Sequence, residues 1–204
     1  MFLNFVFDLG GVLVNYDPKR YVQKIVGSDK AEILKNIIFD SPEWIELDKG
    51  TLDESEAVRI WGKKNPEYSQ YIELIMKNWD EMLTPKYENI RLLKPLKNMG
   101  HKLYILSNFH EEAFKNVSEK YSFFGLFNGM VISYKEKTVK PEERIYRVLI
   151  KRYGINPSDT VFIDDSMKNI ETAERLGFKA FLYVKHSKLI EFLSKLLGGA
   201  IIEA

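Results

Sequence analysis

The sequence contains no cysteine, and this absence removes several kinds of chemistry at once. Disulfide bonds, a thiolate nucleophile and cysteine-based zinc sites are all excluded. A chain without disulfide bonds fits a reducing compartment, and we therefore expect a cytoplasmic location. The first residues also lack a basic region followed by a cleavage site, so no signal peptide is expected.

Long apolar runs and blocks of like charge are also missing. No apolar segment is long enough to span a bilayer, so we expect no membrane insertion. The 30 lysines and arginines nearly balance the 29 aspartates and glutamates, which leaves a net charge of +1. Such a balance offers no electrostatic attraction for nucleic acid or for a membrane surface. The expected partner is therefore a small molecule, and the chain is expected to be a monomer or a homodimer.

Five short apolar segments are typical of β-strands. Three of them are almost continuously hydrophobic, as in parallel strands that helices cover on both faces. The strands are expected at Leu3–Asp8, Lys102–Ser107, Met130–Ser133, Thr160–Asp164 and Lys179–Val184. Helical patterns follow the last four strands, at about Glu111–Tyr121, Pro141–Tyr153, Lys168–Leu176 and Ser187–Leu197. This alternation predicts an α/β fold, a doubly wound, Rossmann-like parallel sheet.

The stretch between the first two strands carries only helical signals. A capping residue stands before proline three times, at Asp17-Pro18, Ser41-Pro42 and Thr84-Pro85. Further capping or terminating positions are Asp53 with Glu56, Gly27, Gly50 and Gly62. We therefore predict a helical insertion over residues 17–83 and a core domain formed by residues 1–16 and 84–204. Ligands bind beyond the carboxyl ends of such strands, so the insertion would cover the site as a cap; ordinary packing helices of one domain are the alternative.

Polar side chains stand at the carboxyl ends of the predicted strands. Each of them alone could be a turn, capping or surface residue. Two adjacent carboxylates after a buried strand repel each other, so a cation is expected beside Asp164 and Asp165. The full set comprises Asp8 after the first strand, Ser107 and Asn108 after the second, Lys140 after the third, and Asp164 and Asp165 at the end of the fourth.

These residue types together suit phosphoryl transfer. A carboxylate such as Asp8 can attack phosphorus and form an aspartyl-phosphate. Further carboxylates are oxygen ligands for Mg²⁺, which bridges to a substrate phosphate. The hydroxyl and N–H groups at Ser107 and Asn108 can bind the transferring oxygens, and Lys140 can neutralise their charge.

Four motifs in order along the chain resemble those of the haloacid dehalogenase superfamily, in its phosphatase branch with a helical cap. They are FVFDLGGVL, ILSN, VKPEERIY and VFIDDSMKNIETAERLG. The segment SPEWIELDKGTLDESEA also resembles the subgroup that contains bacterial sugar-1-phosphate phosphatases and the N-terminal phosphatase domain of soluble epoxide hydrolase. The resemblance implies a Mg²⁺-dependent phosphatase for a small phosphorylated metabolite, with a sugar 1-phosphate as one candidate.

The resemblance also implies a role for each residue of the set. Asp8 would be the nucleophile, and Lys140 would pair with Asp8 and with phosphate. Ser107 and Asn108 would bind phosphate. The Mg²⁺ ligands would be Asp8, the carbonyl of Gly10, Asp165 and, directly or in an outer shell, Asp164.

Gly10 departs from the pattern of the phosphatase relatives, which place an acid at this position. That acid protonates the leaving oxygen and then activates water, and such groups contribute about 10²–10⁴-fold in rate. A phosphatase with Gly10 would depend least on the missing acid if its substrate has a good leaving group. Two alternatives remain open: a 2-haloacid dehalogenase in which Asp8 attacks carbon, and a non-enzyme that binds phosphorylated ligands.

Candidates for a substitute acid can be named from the sequence. His110 is the histidine nearest to the expected site, although we expect a capping or solvated role for it, and Asp17 is a further candidate. Substrate identity should lie in the helical insertion. Its Trp44 and Trp61 are expected to pack in its core rather than to face the substrate.

Overall fold

A five-stranded parallel β-sheet forms the centre of the computed structural model, which describes residues 2–199. Its strands are β1 (Asn4–Phe7), β2 (Lys102–Ser107), β3 (Gly129–Ile132), β4 (Thr160–Asp164) and β5 (Lys179–Leu182). Their order across the sheet is β3-β2-β1-β4-β5, so the direction of winding reverses beside β1. In such sheets the ligand crevice lies at the carboxyl ends of the strands, at this reversal. The predicted α/β fold is confirmed; residues 1 and 200–204 lie outside the described part.

Strand β1 is buried on both faces, as its continuous hydrophobic pattern predicts. Phe5 and Phe7 belong to the larger apolar cluster on one side of the sheet, whereas Val6 belongs to a smaller cluster on the other side. The two clusters receive alternate residues because successive strand side chains point to opposite faces. Asn4 pairs with Lys102 of β2 and with Thr160 of β4, which brings the ends of these three strands to one edge.

The four helices predicted after strands β2, β3, β4 and β5 are present, and their bounds lie within two residues of the predicted ones. They are α8 (Glu111–Lys120), α10 (Glu143–Tyr153), α11 (Met167–Arg175) and α12 (His186–Leu196). Pro141 precedes α10 instead of lying in its first turn. Three shorter helices, α6 (Tyr87–Ile90), α7 (Leu93–Asn98) and α9 (Ser133–Glu136), connect the core elements. Among residues 2–199, no helix combines the length and the apolar character needed to cross a membrane.

The helical insertion contains α1 (Pro18–Val26), α2 (Ser28–Ile38), α3 (Pro42–Lys49), α4 (Glu54–Lys64) and α5 (Ser69–Met76). Three predicted caps are confirmed, because the side chains of Asp17, Ser41 and Asp53 each accept a hydrogen bond from the backbone N–H three residues later. Such caps satisfy donors that the first turn leaves without a partner. The separation of this insertion from the core as a domain of its own stays a prediction.

Two of the predicted helix boundaries are wrong. Gly62 lies inside α4, where a Cβ atom would stand 2.9 Å from Ser69 Oγ, so its small size serves close packing. Thr84-Pro85 begins no helix, since Pro85 instead forms an isolated bridge with Val14. Both positions carry typical helix-boundary residues that tertiary packing uses for another purpose.

Three contacts tie the C-terminal end of α3 to the segment that follows β3. Ser133 Oγ donates a hydrogen bond to the backbone oxygen of Asp48, and Lys137 Nζ donates one to the backbone oxygen of Gly50. Lys49 Nζ lies 3.2 Å from a carboxylate oxygen of Glu142. This end of α3 is therefore held against the carboxyl edge of the sheet.

Candidate active site

Three charged side chains from distant parts of the chain meet at the carboxyl ends of β1 and β4. Asp8 follows β1, Asp164 ends β4, and Lys140 lies between α9 and α10. Lys140 Nζ lies 2.9 Å from Asp8 Oδ2 and 2.6 Å from Asp164 Oδ2. All three residues are buried, so one ammonium group is shared by two carboxylates away from bulk water. Burial alone would lower the pKa of Lys140, but Asp164 and Asp8 outweigh it and raise this pKa.

Two donors fix the remaining oxygen of Asp8. The backbone N–H of Leu9 donates to Oδ1 over 2.7 Å, and Ser107 Oγ donates to the same oxygen over 2.8 Å. Burial raises the pKa of Asp8 well above its usual range, and the charge of Lys140 acts in the opposite direction. A cation placed beside Asp8 would favour its ionised form, which is the nucleophilic one.

Asp164 has partners for both of its carboxylate oxygens. Oδ1 accepts hydrogen bonds from the backbone N–H of Ser166 and from Asn169 Nδ2, each over 2.9 Å. Oδ2 is occupied by Lys140. Because Asp164 is fully buried and already satisfied, this carboxylate is suited to orienting the lysine.

Asn108 holds the segment that carries the lysine. Its Nδ2 donates to the backbone oxygen of Lys140 over 3.0 Å, and its Oδ1 accepts from the backbone N–H of Lys140 over 2.7 Å. Both ends of the side-chain amide are thus engaged with one residue. The sequence assigns Asn108 to phosphate binding, and that role stays a prediction.

Asp165 lies against the glycine-rich loop after β1. A Cβ atom at Gly11 would stand only 1.8 Å from Asp165 Oδ2, and Gly11 has a φ of +73°, which other residues rarely adopt. The carboxylate can therefore approach the loop only because position 11 is glycine. Burial raises the pKa of Asp165, and the neighbouring charge of Asp164 adds to this effect.

Asp8, Asp164 and Asp165 can each place one carboxylate oxygen within 4.8 Å of the others. Such a cluster of hard oxygen donors matches the preference of Mg²⁺. Gly10 lines the same cavity as Asp8 and Asp165, and the role of its carbonyl as a ligand stays a prediction. The residues at this sheet edge therefore fit a magnesium ion.

A cavity of about 240 Å³ opens over the carboxylates. Pockets for drug-sized ligands are about 300–1,000 Å³, so this cavity suits a smaller molecule. The sheet edge contributes Asp8, Gly10, Asn108 and Asp165 to its wall. The other part of the wall is formed by Tyr16 and by residues of the helical insertion, namely Trp44, Asp48, Trp79 and Leu83.

Several residues of this wall differ from the sequence-based expectations. Core packing is confirmed for both tryptophans. Trp61 is 1% exposed and donates a hydrogen bond to Ser41, and Trp44 belongs to the buried apolar cluster at 7% exposure. Trp44 differs from the expectation in that it also lines the cavity. His110 lines the cavity too, is 2% exposed and makes no side-chain capping hydrogen bond, so neither role expected for it is found. Asp17 caps α1 outside this cavity.

Asp48 is a cavity residue that the sequence analysis missed, although a signal for it exists. Trp44 and Asp48 are four residues apart on α3 and therefore share one face of that helix. A carboxylate on the same face as a buried tryptophan is a departure from an apolar stripe, and such departures often mark function.

A comparison with protein-family models adds the decisive observation. The model described as "haloacid dehalogenase-like hydrolase" matches residues 3–177. The chain belongs to this family. The family resemblance seen in the four motifs is thereby confirmed, and the chain is a hydrolase.

This hydrolase resembles proteins that carry phosphatase names. It is 26% identical over 174 residues to a sesquiterpene phosphatase of Aspergillus oryzae, covering 84% of this chain and 85% of that protein. It is 27% identical over 193 residues to the D-ribitol-5-phosphate phosphatase of Bacteroides thetaiotaomicron, covering 89% of this chain and 91% of that protein. These relatives support a hydrolase that acts on phosphate esters.

A solved structure gives a similar picture. It is a haloacid dehalogenase family enzyme of Bacteroides thetaiotaomicron in complex with magnesium and inorganic phosphate. The TM-score is 0.67 at 27% identity, over 90% of this hydrolase and 95% of that chain. Magnesium and phosphate thus occur together in an enzyme of the same family.

Proposed function

We propose that this hydrolase is a Mg²⁺-dependent phosphatase that cleaves a small phosphorylated metabolite through an aspartyl-phosphate on Asp8. The observation that supports the proposal most strongly is the set of contacts that Asp8 makes. Asp8 is fixed by Leu9 and Ser107, paired with a buried Lys140, and open to a small cavity. The phosphatase names of two relatives agree with it.

The protein's own residues would divide the chemistry among them. Asp8 Oδ2 attacks phosphorus, while the hydroxyl of Ser107 and the backbone N–H of Asn108 bind oxygens of the transferring group and Lys140 balances their charge. Asp8, the carbonyl of Gly10 and Asp165 would hold Mg²⁺, which neutralises charge on the phosphate when bound. Asp164 acts in an outer shell, because both of its oxygens are already engaged.

The cavity narrows the choice of substrate. Its small volume and its aromatic wall favour a compact molecule with apolar faces beside the phosphate. A sugar 1-phosphate meets this description, and its anomeric oxygen is a good leaving group. Such a substrate needs little help from a proton donor, and Gly10 cannot act as one.

The test is a release assay for inorganic phosphate with sugar 1-phosphates, alditol phosphates and p-nitrophenyl phosphate. We expect release with at least one of them, loss of release in EDTA, and full recovery with excess Mg²⁺. Absence of release from every substrate would refute the proposal. Halide release from 2-chloropropionate that persists in EDTA would replace it with the dehalogenase alternative.

Replacing Gly11 with alanine is expected to displace the Asp165 carboxylate from the loop. Misplacing a catalytic group by about 1 Å can cost on the order of 10²-fold in rate, so we expect at least such a loss, with weaker Mg²⁺ binding. Calorimetric titration with Mg²⁺ and the release assay measure both effects. Gly27→Ala is the matched control, since Gly27 also has a positive φ of +80° but nothing within 4 Å of its Cβ position. Equal effects of the two substitutions would contradict this account.

A further inference from the structure

The site has room for the acid that it lacks. A Cβ atom at Gly10 would come no closer than 3.9 Å to its nearest neighbour, Tyr16 Cβ, which is an ordinary contact distance. Gly10 also has no positive φ that would require glycine. Neither space nor backbone conformation therefore demands glycine at this position.

A carboxylate residue of the helical insertion, Asp48, belongs to the wall of the same cavity. Asp48 lies near the end of α3, its side chain is 16% exposed, and it lines the cavity together with Asp8 and Gly10. Burial raises the pKa of Asp48 to about 6, while His110 and Lys140 act to lower it. The same Lys140 ammonium group pairs with Asp8, so one positive charge acts on both carboxyl groups. A carboxyl group of this kind can both give and take a proton near neutral pH.

Asp48 is held in place from two directions. Its backbone oxygen accepts a hydrogen bond from Ser133 Oγ of the core. Its carboxylate oxygen lies 3.3 Å from His110 Nε2, and the other ring nitrogen of His110 lies 3.5 Å from Glu54. The ring of His110 in turn packs against both Trp44 and Trp79, with centroid distances of 4.2 and 4.9 Å. A catalytic carboxyl group needs this kind of fixed setting.

We propose that Asp48 is the general acid and base of this hydrolase, in the role that Gly10 cannot fill. The inference rests on the proposed phosphatase function. Asp48 is better suited than the two other proton carriers in the wall. Burial raises the pKa of Tyr16 far above neutrality, and the ring nitrogens of His110 are buried and face Asp48 and Glu54.

In the proposed reaction, Asp48 first gives a proton and then takes one back. Asp8 forms a bond to phosphorus, the bond from phosphorus to the leaving oxygen breaks, and that oxygen keeps the electron pair and takes the proton of Asp48. The ionised Asp48 then accepts a proton from water as the water oxygen attacks phosphorus. The bond to Asp8 breaks, phosphate leaves, and Asp48 is protonated again. The net reaction is hydrolysis of one ester by one water molecule.

The test compares first-turnover rates for two kinds of leaving group. Asp48→Asn removes the transferable proton and changes the shape of the side chain very little. For a primary alkyl phosphate we expect a loss of about 10²–10⁴-fold, the usual contribution of a general acid. For p-nitrophenyl phosphate, whose leaving group needs no proton, we expect less than about a tenfold loss in the first burst. The phosphoenzyme should then accumulate, because the base for its hydrolysis is missing.

Two further variants make the test specific. Gly10→Asp in the Asp48→Asn background should raise the alkyl phosphate rate at least about tenfold above that of Asp48→Asn alone, since an acid then stands at position 10. Glu46→Gln on the same helix, outside the cavity, should leave both rates unchanged. Thermal unfolding of each variant reports whether the fold is retained.

The possible outcomes separate the two proposals. Equal losses with both substrates, no loss with either, or no rescue by Gly10→Asp would overturn the role of Asp48. Wild-type protein that cleaves p-nitrophenyl phosphate but no alkyl phosphate would also overturn it, while leaving the phosphatase function intact. Wild-type protein that releases phosphate from no substrate would refute both.

Discussion

Phosphate release is expected to fall on the order of 10⁴-fold or more when Asp8 is replaced by asparagine, as typically occurs when a nucleophile is lost. The amide nitrogen or oxygen of asparagine cannot form the aspartyl-phosphate that the mechanism requires. The substitution also removes one of the carboxylates available to Mg²⁺. The measurement is steady-state phosphate release with the best substrate of the panel.

The folded state should survive this substitution. The fold raises the pKa of Asp8, so its ionised form costs stability at every pH above the ordinary aspartate pKa, and asparagine removes that cost. Lys140 also keeps Asp164 as a partner in this variant, so the melting temperature of Asp8→Asn in EDTA should stay close to that of wild type. Asp17→Asn is the control, because Asp17 caps α1 outside the cavity and asparagine caps equally well. Activity of Asp8→Asn within tenfold of this control would exclude Asp8 as the nucleophile.

Replacing Lys140 with methionine is expected to reduce both stability and activity strongly. The ammonium group is 2.9 Å from Asp8 and 2.6 Å from Asp164, and all three side chains are buried. Removing one partner of a buried ion pair costs about 3–5 kcal/mol, because the remaining charge is left without compensation. For a chain of this size, that corresponds to a melting temperature lower by roughly 6–20 °C. Phosphate release should also fall strongly, since the ammonium group that pairs with Asp8 and balances charge on the phosphate is then missing.

The loss of stability in Lys140→Met should depend on pH. Without Lys140, the positive charge that opposes the effect of burial on the pKa of Asp8 is gone, and this carboxyl group becomes neutral as the pH falls. In EDTA, the difference in melting temperature from wild type should therefore be larger at pH 8 than at pH 5. Lys151→Met, an exposed position on α10, should change stability by no more than about 0.5 kcal/mol. A pH-independent difference, or one as small as that of the control, would contradict the shared ion pair.

Much of the fold follows from the sequence because the strands carry a strong local signal. Segments such as NFVF and TVFID are buried on both faces, and a parallel sheet covered by helices provides that environment. The meeting of Asp8 with Asp164 then follows from topology alone, since parallel neighbours end at the same edge. Local capping chemistry at Asp17, Ser41 and Asp53 likewise predicts the starts of three inserted helices.

The part of the cavity wall that the helical insertion forms could not be predicted in the same way. Asp48 and Trp79 reach the site through the packing of the helical insertion against the sheet edge, which no local pattern specifies. The same packing turns His110 from an apparent capping residue into a buried one beside Asp48 and Glu54. Gly62 fails as a helix end for a related reason, because α5 approaches α4 at that point.

The covalent intermediate provides the most direct test of the central claim. Protein mixed with substrate and Mg²⁺ is quenched in acid within the first turnovers, digested, and analysed by peptide mass spectrometry. We expect one phosphoryl group on Asp8, absent in Asp8→Asn and absent when EDTA replaces Mg²⁺. A phosphoryl group on another residue, or phosphate release by wild type with no phosphoryl group trapped even in Asp48→Asn, would contradict nucleophilic attack by Asp8.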